Sequence, residues 1–568
     1  MSGNRQALVK MVVVGISTCL GLSLTYAVPV LDAYRPWVPG EPVPFAMWWG
    51  GNPKPDDEVE VAEEFLAEAR AAEAEGEEED GVLAPPPTVE AIEPPSPVVV
   101  PGPVVEPAPV VLPAPVVQPA PDNATAVVED NATVVSDNAT VVSDNATVVS
   151  DNATVASDNA TQPTDNATVV PPAPKRPTVV VDAKEYEGIT REIEDPSGKA
   201  LDSFYASLEK TALRQAGAVT RISHWGASVI GADGMTSVAR RKLQKRFGSA
   251  GKGWVNMAPG WDWYRQKDVV FKSTGWRGKT VTSHKLKRAS FGNSRYGYGG
   301  VAAVGYRGAK STYRVWAKRL ELYYHAYQKG GDVSVSIDGG EPQIISTKAD
   351  TAVDGYAVIE APTDGEHTFE VKAAGGGVAH VYGVTLERDG PGIVYDCLGM
   401  IGTRASRILN YEPEHLAEQV SHRNPDLQII MFGGNELQDH GMNMRLYEEK
   451  YERVIQSLRA GAPNASCLMM TPVDHGEKVR GRVRTVRMLL KMIPAQQRIA
   501  ERQGCAFFNT FEAMGGEGSI GRWYYKIKPR LAWGDFAHLT KAGDRVMGSM
   551  IYKAIMKGFA GYLSRNAR

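Results

Sequence analysis

Two kinds of hydrophobic pattern occupy the C-terminal two-thirds of the chain, and each predicts its own architecture. In residues 181–264 and 392–568, short apolar runs alternate with amphipathic stretches. Leu427–Phe432 and Cys467–Met470 are typical of buried strands, whereas Tyr447–Ala460 has the spacing of a helix. Strands that alternate with helices predict an α/β fold, a parallel sheet flanked by helices on both faces. A site in such a sheet is expected at the carboxyl ends of its strands.

Residues 265–391 follow a different pattern, in which apolar and polar residues alternate one by one. Runs such as Val333–Ile337 and His367–Val371 are separated by Asp-Gly turns, one of them at Asp364. This pattern is typical of an antiparallel β-sandwich, here jelly-roll-like, inserted into the parallel-sheet domain. Five tyrosines of the insert are candidates for stacking on sugar rings, although strand alternation places most of them in the core or at its rim. They are Tyr323, Tyr324, Tyr327, Tyr356 and Tyr382.

Residues 1–40 are predicted to form a membrane segment. Met11–Val30 is a run of twenty residues without charge, preceded by Arg5 and Lys10. A helix of this length crosses a hydrocarbon core of about 30 Å, and the positive flank predicts that the rest of the chain is exported. We therefore expect an inner-membrane anchor with the folded C-terminal part of the chain in the periplasm. The alternative is a signal peptide with a cleavage site at Thr25–Ala27, which would release a secreted protein.

Residues 41–180 are predicted to form a disordered linker. Their composition is first acidic, then rich in proline and valine, and then repeats Asp-Asn-Ala-Thr from Asp122 to Thr168. Adjacent valines do not make the seam of a coiled coil, and each repeat has too few apolar residues for a solenoid. Such a segment cannot bury enough apolar surface to fold.

Charge and cysteine content narrow the possible functions. The formal net charge is −4, and no basic stripe is interleaved with aromatic residues, so no nucleic-acid partner is predicted. The basic run Arg480–Arg484 is either a solvated face or a contact for a glycan or other anionic polymer. The four cysteines show no paired spacing. We interpret Cys397, Cys467 and Cys505 as small buried residues, with one disulfide among them as the alternative in an exported protein.

Candidate catalytic residues lie in three short blocks that are far apart in the chain. Ser228 follows the strand-like run Ala218–Ile222 in a glycine turn, a position where a serine is exposed. Asp535 lies three residues before His538, close enough to orient the imidazole. A serine hydroxyl needs such a base at neutral pH. The side-chain amide of Asn435 is suited to donate to a developing oxyanion, so the blocks together suit acyl transfer from an ester.

The order of the blocks resembles that of the SGNH/GDSL hydrolase family. The family's G-D-S, loop glycine, G-x-N-D and D-x-x-H correspond here to Gly226–Ser228, Gly402, Gly433–Glu436 and Asp535–His538. The resemblance covers roughly residues 195–262 and 392–560. Further stretches are similar to bacterial members that act on O-acetylated cell-wall glycans, and include Met470–Asp474.

This resemblance implies an SGNH-type fold and a role for each matched residue. Ser228 would be the nucleophile, His538 the general base and Asp535 the group that orients His538. The oxyanion hole would consist of the Ser228 and Gly402 backbone N–H groups and the Asn435 amide.

Some positions leave alternatives open. Gly399 is the alternative to Gly402. Ala227 stands where the family usually has aspartate before the serine, and Glu436 replaces the usual aspartate of the third block. The first change bears on the rigidity of the loop more than on the chemistry.

The implied function is that of an exported serine esterase that removes O-acetyl groups from an envelope glycan, with peptidoglycan as the first candidate. The alternatives are a glycan O-acetyltransferase with the same triad and a non-catalytic glycan-binding protein. The predicted partners are an O-acetylated carbohydrate polymer and the inner membrane. No cofactor is predicted, and the irregular spacing of His224, His440 and His475 argues against a metal site. Deleting residues 265–390 is expected to leave activity on small esters.

Overall fold

The computed structural model describes residues 61, 63–74, 178–282, 294–439 and 441–567. The predicted membrane segment, most of the predicted linker with its repeat, and His440 lie outside these residues. Within the part of the chain that the structure describes, no helix is both long enough and apolar enough to cross a membrane. The membrane segment therefore stays a prediction.

The strands of the described residues fall into a parallel and an antiparallel sheet and one separate hairpin. In chain order they are β1 Val219–Gly226, β2 Gly251–Asn256, β3 Val270–Thr274, β4 Arg277–Thr280, β5 Val301–Gly305, β6 Lys310–Ala326, β7 Asp332–Ile337, β8 Gln343–Ser346, β9 Val353–Gly375, β10 Ala379–Glu387, β11 Gly392–Gly399, β12 Leu427–Met431, β13 Ser466–Met470, β14 Gly476–Val479, β15 Arg482–Thr485 and β16 Ala506–Phe508.

The helices mostly follow the strands of the parallel sheet. In chain order they are α1 Glu63–Ala74, α2 Asp202–Ala212, α3 Ser228–Gly231, α4 Gly234–Phe247, α5 Pro413–Arg423, α6 Met444–Ala460, α7 Arg487–Arg502, α8 Thr510–Ala513, α9 Ser519–Tyr525 and α10 Lys541–Asn566. Side chains cap several of them: Asn443 accepts the Leu446 N–H at the start of α6, and Thr540 accepts the Gly543 N–H at the start of α10.

The parallel sheet has five strands in the order β11-β1-β12-β13-β16, and every neighbouring pair is parallel. Both of its faces are apolar. Leu427 and Ile429 of β12 belong to the core that contains α2, α4 and α10, whereas Ile430 belongs to the core that contains α5, α6 and α7. The predicted parallel sheet with helices on both faces is confirmed.

The antiparallel sheet has nine strands, with the main order β4-β5-β10-β6-β9-β7-β8, and with β2 and β3 paired to β10 and β6. β6 and β9 are 17 and 23 residues long, and their register shifts after Ala317. Such a bulge bends a strand pair. Residues from both halves of the sheet, among them Tyr313, Leu322 and Phe369, share one core, as predicted for a sandwich. The turn predicted at Asp364 is wrong, because this residue lies inside β9.

The insert shares a further core with the parallel-sheet domain. Trp254 of β2 meets the rings of Tyr298 and Tyr323 edge-on, and Tyr298 in turn meets Trp225 of β1 with ring centroids 4.8 Å apart. Tyr323 and Tyr382 are 0% and 1% exposed. These two tyrosines therefore cannot stack on sugars, and the aromatic residues join the two sheets instead.

Buried ion pairs cross the same interface. Arg423 of α5 donates to both carboxylate oxygens of Asp396 in β11, at 2.7 and 3.0 Å, and to Glu387 of β10 at 2.6 Å. Arg221 of β1 also pairs with Glu387, at 3.0 Å. Apolar and ionic contacts thus both join the insert to the parallel sheet, and the expectation that a chain without residues 265–390 keeps its activity on small esters stays a prediction. The domain boundaries stay a prediction, although β2 pairs into the antiparallel sheet before the expected start of the insert at residue 265.

α1 lies within the predicted linker, yet it packs on the folded domain. Phe65 is 1% exposed in the core that includes α10, and the Lys553 ammonium of α10 lies 4.9 Å from the centre of its ring. Glu68 accepts a hydrogen bond from Ser549 at 3.0 Å. The linker prediction is therefore wrong for residues 63–74. Glutamate and alanine favour helix, and Phe65 provides the apolar contact together with Leu66 and with Val61 just before the helix.

Cys467 and Cys505 form a disulfide, with their Cα atoms 4.7 Å apart. Cys467 lies in β13 and Cys505 directly precedes β16, the neighbouring strand of the parallel sheet. Cys397 is a buried free thiol. The interpretation of all three as unpaired small residues is wrong for this pair, and the alternative of one disulfide holds.

Candidate active site

Ser228 lies at the carboxyl end of β1, where the chain turns into α3. β1 ends at Gly226, and Ser228 is the first residue of the short helix. A Cβ at Gly226 would lie 2.9 Å from the backbone oxygen of Met431 in the neighbouring strand, so the turn requires glycine there. Ala227 is 5% exposed and fills the position of the family's usual aspartate. The turn places Ser228 at the sheet edge where a site is expected.

The structure brings Ser228, His538 and Asp535 together. The Ser228 hydroxyl lies 2.9 Å from His538 Nε2, and His538 Nδ1 lies 2.8 Å from a carboxylate oxygen of Asp535. The other oxygen of Asp535 accepts the backbone N–H groups of Ala537 and His538, at 3.0 and 3.2 Å. Partial burial raises the pKa of Asp535, but the hydrogen bonds from His538 and the backbone outweigh it and hold this pKa below its ordinary value. A charged carboxylate at Nδ1 leaves Nε2 to accept the serine proton.

Phe536 fixes the turn that holds Asp535 and His538. Its φ of 54° lies in a region that residues other than glycine rarely adopt. Its ring is 4% exposed, meets Tyr524 edge-on at 5.3 Å and lies 5.9 Å from Tyr525. Strain of this kind persists only where packing over-determines the conformation. The buried ring therefore sets the spacing of the carboxylate and the imidazole.

A cleft of about 90 Å³ opens beside the Ser228 hydroxyl. Asn435, His475 and His538 line it together with Ser228. The remaining lining is mostly apolar and consists of Ala227, Val229, Met431, Phe432, Gly434, Gln438, Pro472, Val473 and Ala537.

Of the predicted oxyanion donors, Asn435 lies in the cleft and Gly402 does not. The Asn435 amide donates to the backbone oxygen of Thr403 at 3.1 Å, and a carboxamide nitrogen carries a second N–H. Gly402 lies in the turn after β11 with a φ of 71° and is absent from the described residues that line the cleft. Gly399, its alternative, is the last residue of β11 and pairs with Gly226. The glycine donor therefore stays a prediction.

His475 is a cleft residue whose role the sequence did not indicate. Its Nδ1 lies 2.8 Å from the backbone oxygen of Val473 and donates to it, which leaves Nε2 without a proton. Burial lowers the pKa of His475; the bond to Val473 opposes this effect, and the charge of His538 adds to it. The sequence feature that could have pointed to His475 is its position directly after Met470–Asp474, the stretch that is similar to bacterial members of the family. His224, by contrast, is buried against Tyr395, and no cluster among the described residues is arranged to hold a metal ion.

Glu436 is buried directly behind Asn435. Its side chain accepts the Ala405 N–H through one oxygen at 2.8 Å, while the other oxygen has no hydrogen-bond partner among the described residues. Burial raises the pKa of Glu436 to about 7, and the bond from Ala405 opposes this only in part.

The free energy of unfolding is expected to fall between pH 4.5 and about pH 7 because of Glu436. The unfolded chain keeps the ordinary pKa of 4.5, whereas the folded one is raised to about 7. The stabilisation is therefore complete below pH 4.5 and is lost as the pH rises through 7, by at most about 3 kcal/mol. Denaturant unfolding at several pH values measures this loss. Glu436→Gln keeps the acceptor for Ala405 and is expected to flatten the profile; parallel profiles for the two proteins would contradict the assignment.

Residues 363–546 match the model of the GDSL-like lipase/acylhydrolase family. This range contains Gly402, Asn435, Asp535 and His538 in the order of the family's blocks. The chain carries a GDSL-like hydrolase domain. The match begins inside β9 and lacks Ser228, because the antiparallel sheet separates the nucleophile turn from the rest of the hydrolase domain in sequence.

Solved structures are similar to the chain as well. A peptidoglycan O-acetylesterase aligns with a TM-score of 0.55 and 19% identity, over 65% of this chain and 99% of that chain. A family two carbohydrate esterase from Cellvibrio japonicus has a TM-score of 0.23, 12% identity and coverages of 52% and 99%. An acetyl xylan esterase has a TM-score of 0.24, 20% identity and coverages of 29% and 80%; similarities this low carry no argument. No curated protein sequence matches the chain.

The first of these structures shows that the hydrolase domain and the insert together have a known fold. With the family match, it confirms the predicted SGNH-type fold with an inserted sandwich and the prediction of an SGNH-type esterase. The roles of individual residues and the substrate are separate questions.

Proposed function

We propose that this protein is an exported serine esterase that removes O-acetyl groups from an envelope glycan, with peptidoglycan as the first candidate substrate. The observation that carries the proposal is the hydrogen-bonded series from Ser228 through His538 to Asp535, which faces the same cleft as Asn435. The fold shared with a peptidoglycan O-acetylesterase supports it.

Each proposed step uses a group in that series. The Ser228 oxygen attacks the acetyl carbonyl while its proton moves to His538 Nε2, and Asp535 stabilises the resulting imidazolium. The oxyanion forms beside the Asn435 amide. The intermediate then breaks its bond to the sugar oxygen, which takes the proton from His538 and leaves as a hydroxyl. Water, deprotonated by His538, releases acetate from Ser228 and restores the serine.

The walls of the cleft suit the methyl of an acetyl group. Val229, Phe432, Pro472 and Val473 give the cleft an apolar lining beside the Ser228 hydroxyl. We infer that the methyl of an acetyl group packs against these walls while the sugar stays outside.

Exposed aromatic side chains on the segments that flank Asp535 and His538 support a carbohydrate substrate. Trp533 is 58% exposed and precedes Asp535 by two residues, and its backbone N–H donates to the His538 oxygen at 2.9 Å. Tyr525, on the adjacent α9, is 56% exposed. The flat apolar face of an aromatic ring suits the C–H face of a sugar ring.

The disulfide between Cys467 and Cys505 supports export, because disulfides persist mainly in oxidising compartments. The apolar segment Met11–Val30 with its positive flank supports attachment to the inner membrane. Cell fractionation tests this part: mature protein that begins near Val28 and is free of the membrane would replace the anchor by a cleaved signal peptide.

The proposed activity is tested by acetate release from the full-length protein in detergent. The substrates are O-acetylated peptidoglycan and acetyl xylan, with Ser228→Ala as the inactive control. We expect acetate to be released from peptidoglycan without loss of sugar. Acetyl gain on an added glycan acceptor would identify an acetyltransferase, and binding without release of acetate from either polymer would identify a glycan-binding protein.

Asn435→Ala is expected to lower kcat by about 10²–10³ with a smaller change in KM, because an oxyanion donor acts mainly in the transition state. Steady-state kinetics on a small acetyl ester measure both constants. Gln438→Ala, which removes another carboxamide from the same cleft, is the control and is expected to change kcat less than tenfold. A change confined to KM in Asn435→Ala would make Asn435 a binding residue.

A further inference from the structure

A basic hairpin stands beside the candidate active site and has no part in the chemistry described above. It comprises residues 476–485, with β14 and β15 as its strands. Arg480, Arg482 and Arg484 are exposed, and no carboxylate of the described residues forms an ion pair with them. The hairpin carries four basic side chains, Lys478 and the three arginines, and one acidic side chain, Glu477.

The basic hairpin is attached directly to the residues of the cleft. The Gly476 N–H donates to the Phe536 oxygen at 2.8 Å, and the Val486 N–H donates to the His475 oxygen at 2.8 Å. Phe536 lies between Asp535 and His538, and His475 lines the cleft. The wall of the cleft therefore continues into the hairpin.

Buried contacts fix the base of the basic hairpin. Asp474 is buried and accepts hydrogen bonds from the Thr485 hydroxyl at 2.9 Å and from the Ile520 N–H at 3.0 Å. Residues directly opposite each other in an antiparallel pair share a face. Val483 packs beside Ile520 and Phe536, and Lys478, opposite it, lies 5.3 Å from the centre of the Phe536 ring.

Arg482 and Arg484 therefore lie on the other face, which is turned to solvent. They are paired with Val479 and Glu477 in the register of the hairpin. Arg482, Arg484 and Glu477 share this solvent face, whereas Lys478 lies on the attached face, and the buried contacts at the base hold the hairpin beside the cleft.

The turn at the tip of the basic hairpin begins with a residue type that is uncommon in stable turns of this kind. Its two turn residues, Arg480 and Gly481, have φ values of 50° and 81°. Turns with two positive φ values favour asparagine, aspartate or glycine at the first position, and a long side chain there is uncommon. A residue kept in such a conformation at the rim of a site points to a function for its charge.

We propose that the basic hairpin binds the negatively charged groups of the glycan strand whose acetyl ester lies at Ser228, so that the substrate is a polyanionic polymer. This inference rests on the proposed function and deepens it, since it names the charge of the substrate. Clustered charges of one sign raise the local concentration of an oppositely charged polymer, and salt weakens the effect over a Debye length of about 8–10 Å. The arginines position the strand and do not touch the reacting atoms.

The test compares two polymers that differ only in charge: peptidoglycan sacculi and the same sacculi with their carboxyl groups converted to amides. The measured quantity is the ratio of kcat/KM on each polymer to kcat/KM on a small neutral acetyl ester, at low and high salt. For the wild type at low salt, we expect the ratio on native sacculi to be about tenfold higher than the ratio on amidated sacculi. As the salt concentration rises, the ratio on native sacculi is expected to approach the ratio on amidated sacculi.

The combined variant Arg480→Glu, Arg482→Glu and Arg484→Glu is expected to lower the ratio on native sacculi about tenfold and to abolish its salt dependence. The melting temperature of this variant shows whether the hairpin still folds. If the hairpin does not fold, a variant with glutamine at the same three positions is used instead. The control variant Lys210→Glu, Arg445→Glu and Arg453→Glu makes the same change in net charge on α2 and α6. An equal loss in the control, or equal wild-type ratios on native and amidated sacculi, would overturn the proposal.

Failure of the proposed function is separated from failure of this inference by a binding measurement that needs no catalysis. Ser228→Ala is expected to sediment with native sacculi and to dissociate with salt, whether or not the wild type releases acetate from them. Sedimentation with anionic phospholipid vesicles that the three arginine changes abolish, with none on sacculi, would assign the hairpin to a membrane surface and overturn the glycan assignment.

Discussion

Replacing Ser228 with alanine is expected to lower kcat on a small acetyl ester by about 10³-fold or more while leaving the fold unchanged. The alanine removes the atom that would form the acyl bond, and the hydroxyl makes one hydrogen bond, to His538, that the fold does not need. In such triads, loss of the nucleophile leaves only the contribution of the oxyanion hole and of binding.

Steady-state and burst kinetics measure the effect, with circular dichroism to verify the fold. Ser457→Ala on the outer face of α6 is the matched control, because its hydroxyl bonds only to the Arg453 backbone oxygen one turn earlier. A folded Ser228→Ala protein that keeps a tenth or more of the wild-type rate would remove Ser228 from the mechanism.

Replacing Arg423 with alanine is expected to destabilise the protein by about 3–5 kcal/mol. Its guanidinium is 3% exposed and bonds to Asp396 and Glu387, whose side chains are 0% and 9% exposed. Without it, two buried carboxylates at the junction of β10, β11 and α5 lose their main counter-charge. The midpoint of denaturant unfolding measures the change.

The neighbouring ion pair of Arg388 with Asp364 is the control, since these side chains are 20% and 26% exposed. Arg388→Ala is expected to cost about 1 kcal/mol or less, because solvent reaches both side chains of this pair and screens their charges. Equal effects of the two substitutions would show that the Arg423 cluster does not hold the insert in place.

The sequence predicted the parallel sheet because each of its strands carries its own apolar signal. Leu427–Phe432 and Cys467–Met470 were placed to within one residue of β12 and β13. The pairing of Cys467 with Cys505 was not predictable in the same way, because it depends on which strands are neighbours in the sheet. Likewise, Tyr323 was a candidate for stacking on sugars, and it is buried because it lies in the core that the insert shares with the hydrolase domain.

In the candidate site, too, some residues were predictable from the sequence and others depend on the fold. Ser228, Asn435 and His538 were predicted from short blocks and lie in one cleft. His475 has no block of its own, and only the fold brings it beside them. The basic run Arg480–Arg484 was visible in the sequence, but its place at the rim depends on the bond between Gly476 and Phe536.

The hydrogen bond between Ser228 and His538 joins residues that are 310 positions apart. At typical synthesis rates of 5–20 residues per second, about 15–60 s separate the appearance of the two side chains. During that interval the serine has no base, so the growing chain cannot hydrolyse esters that it meets. A prematurely terminated chain that ends before Asp535 would stay inert for the same reason. The proposed activity thus requires that translation has passed His538.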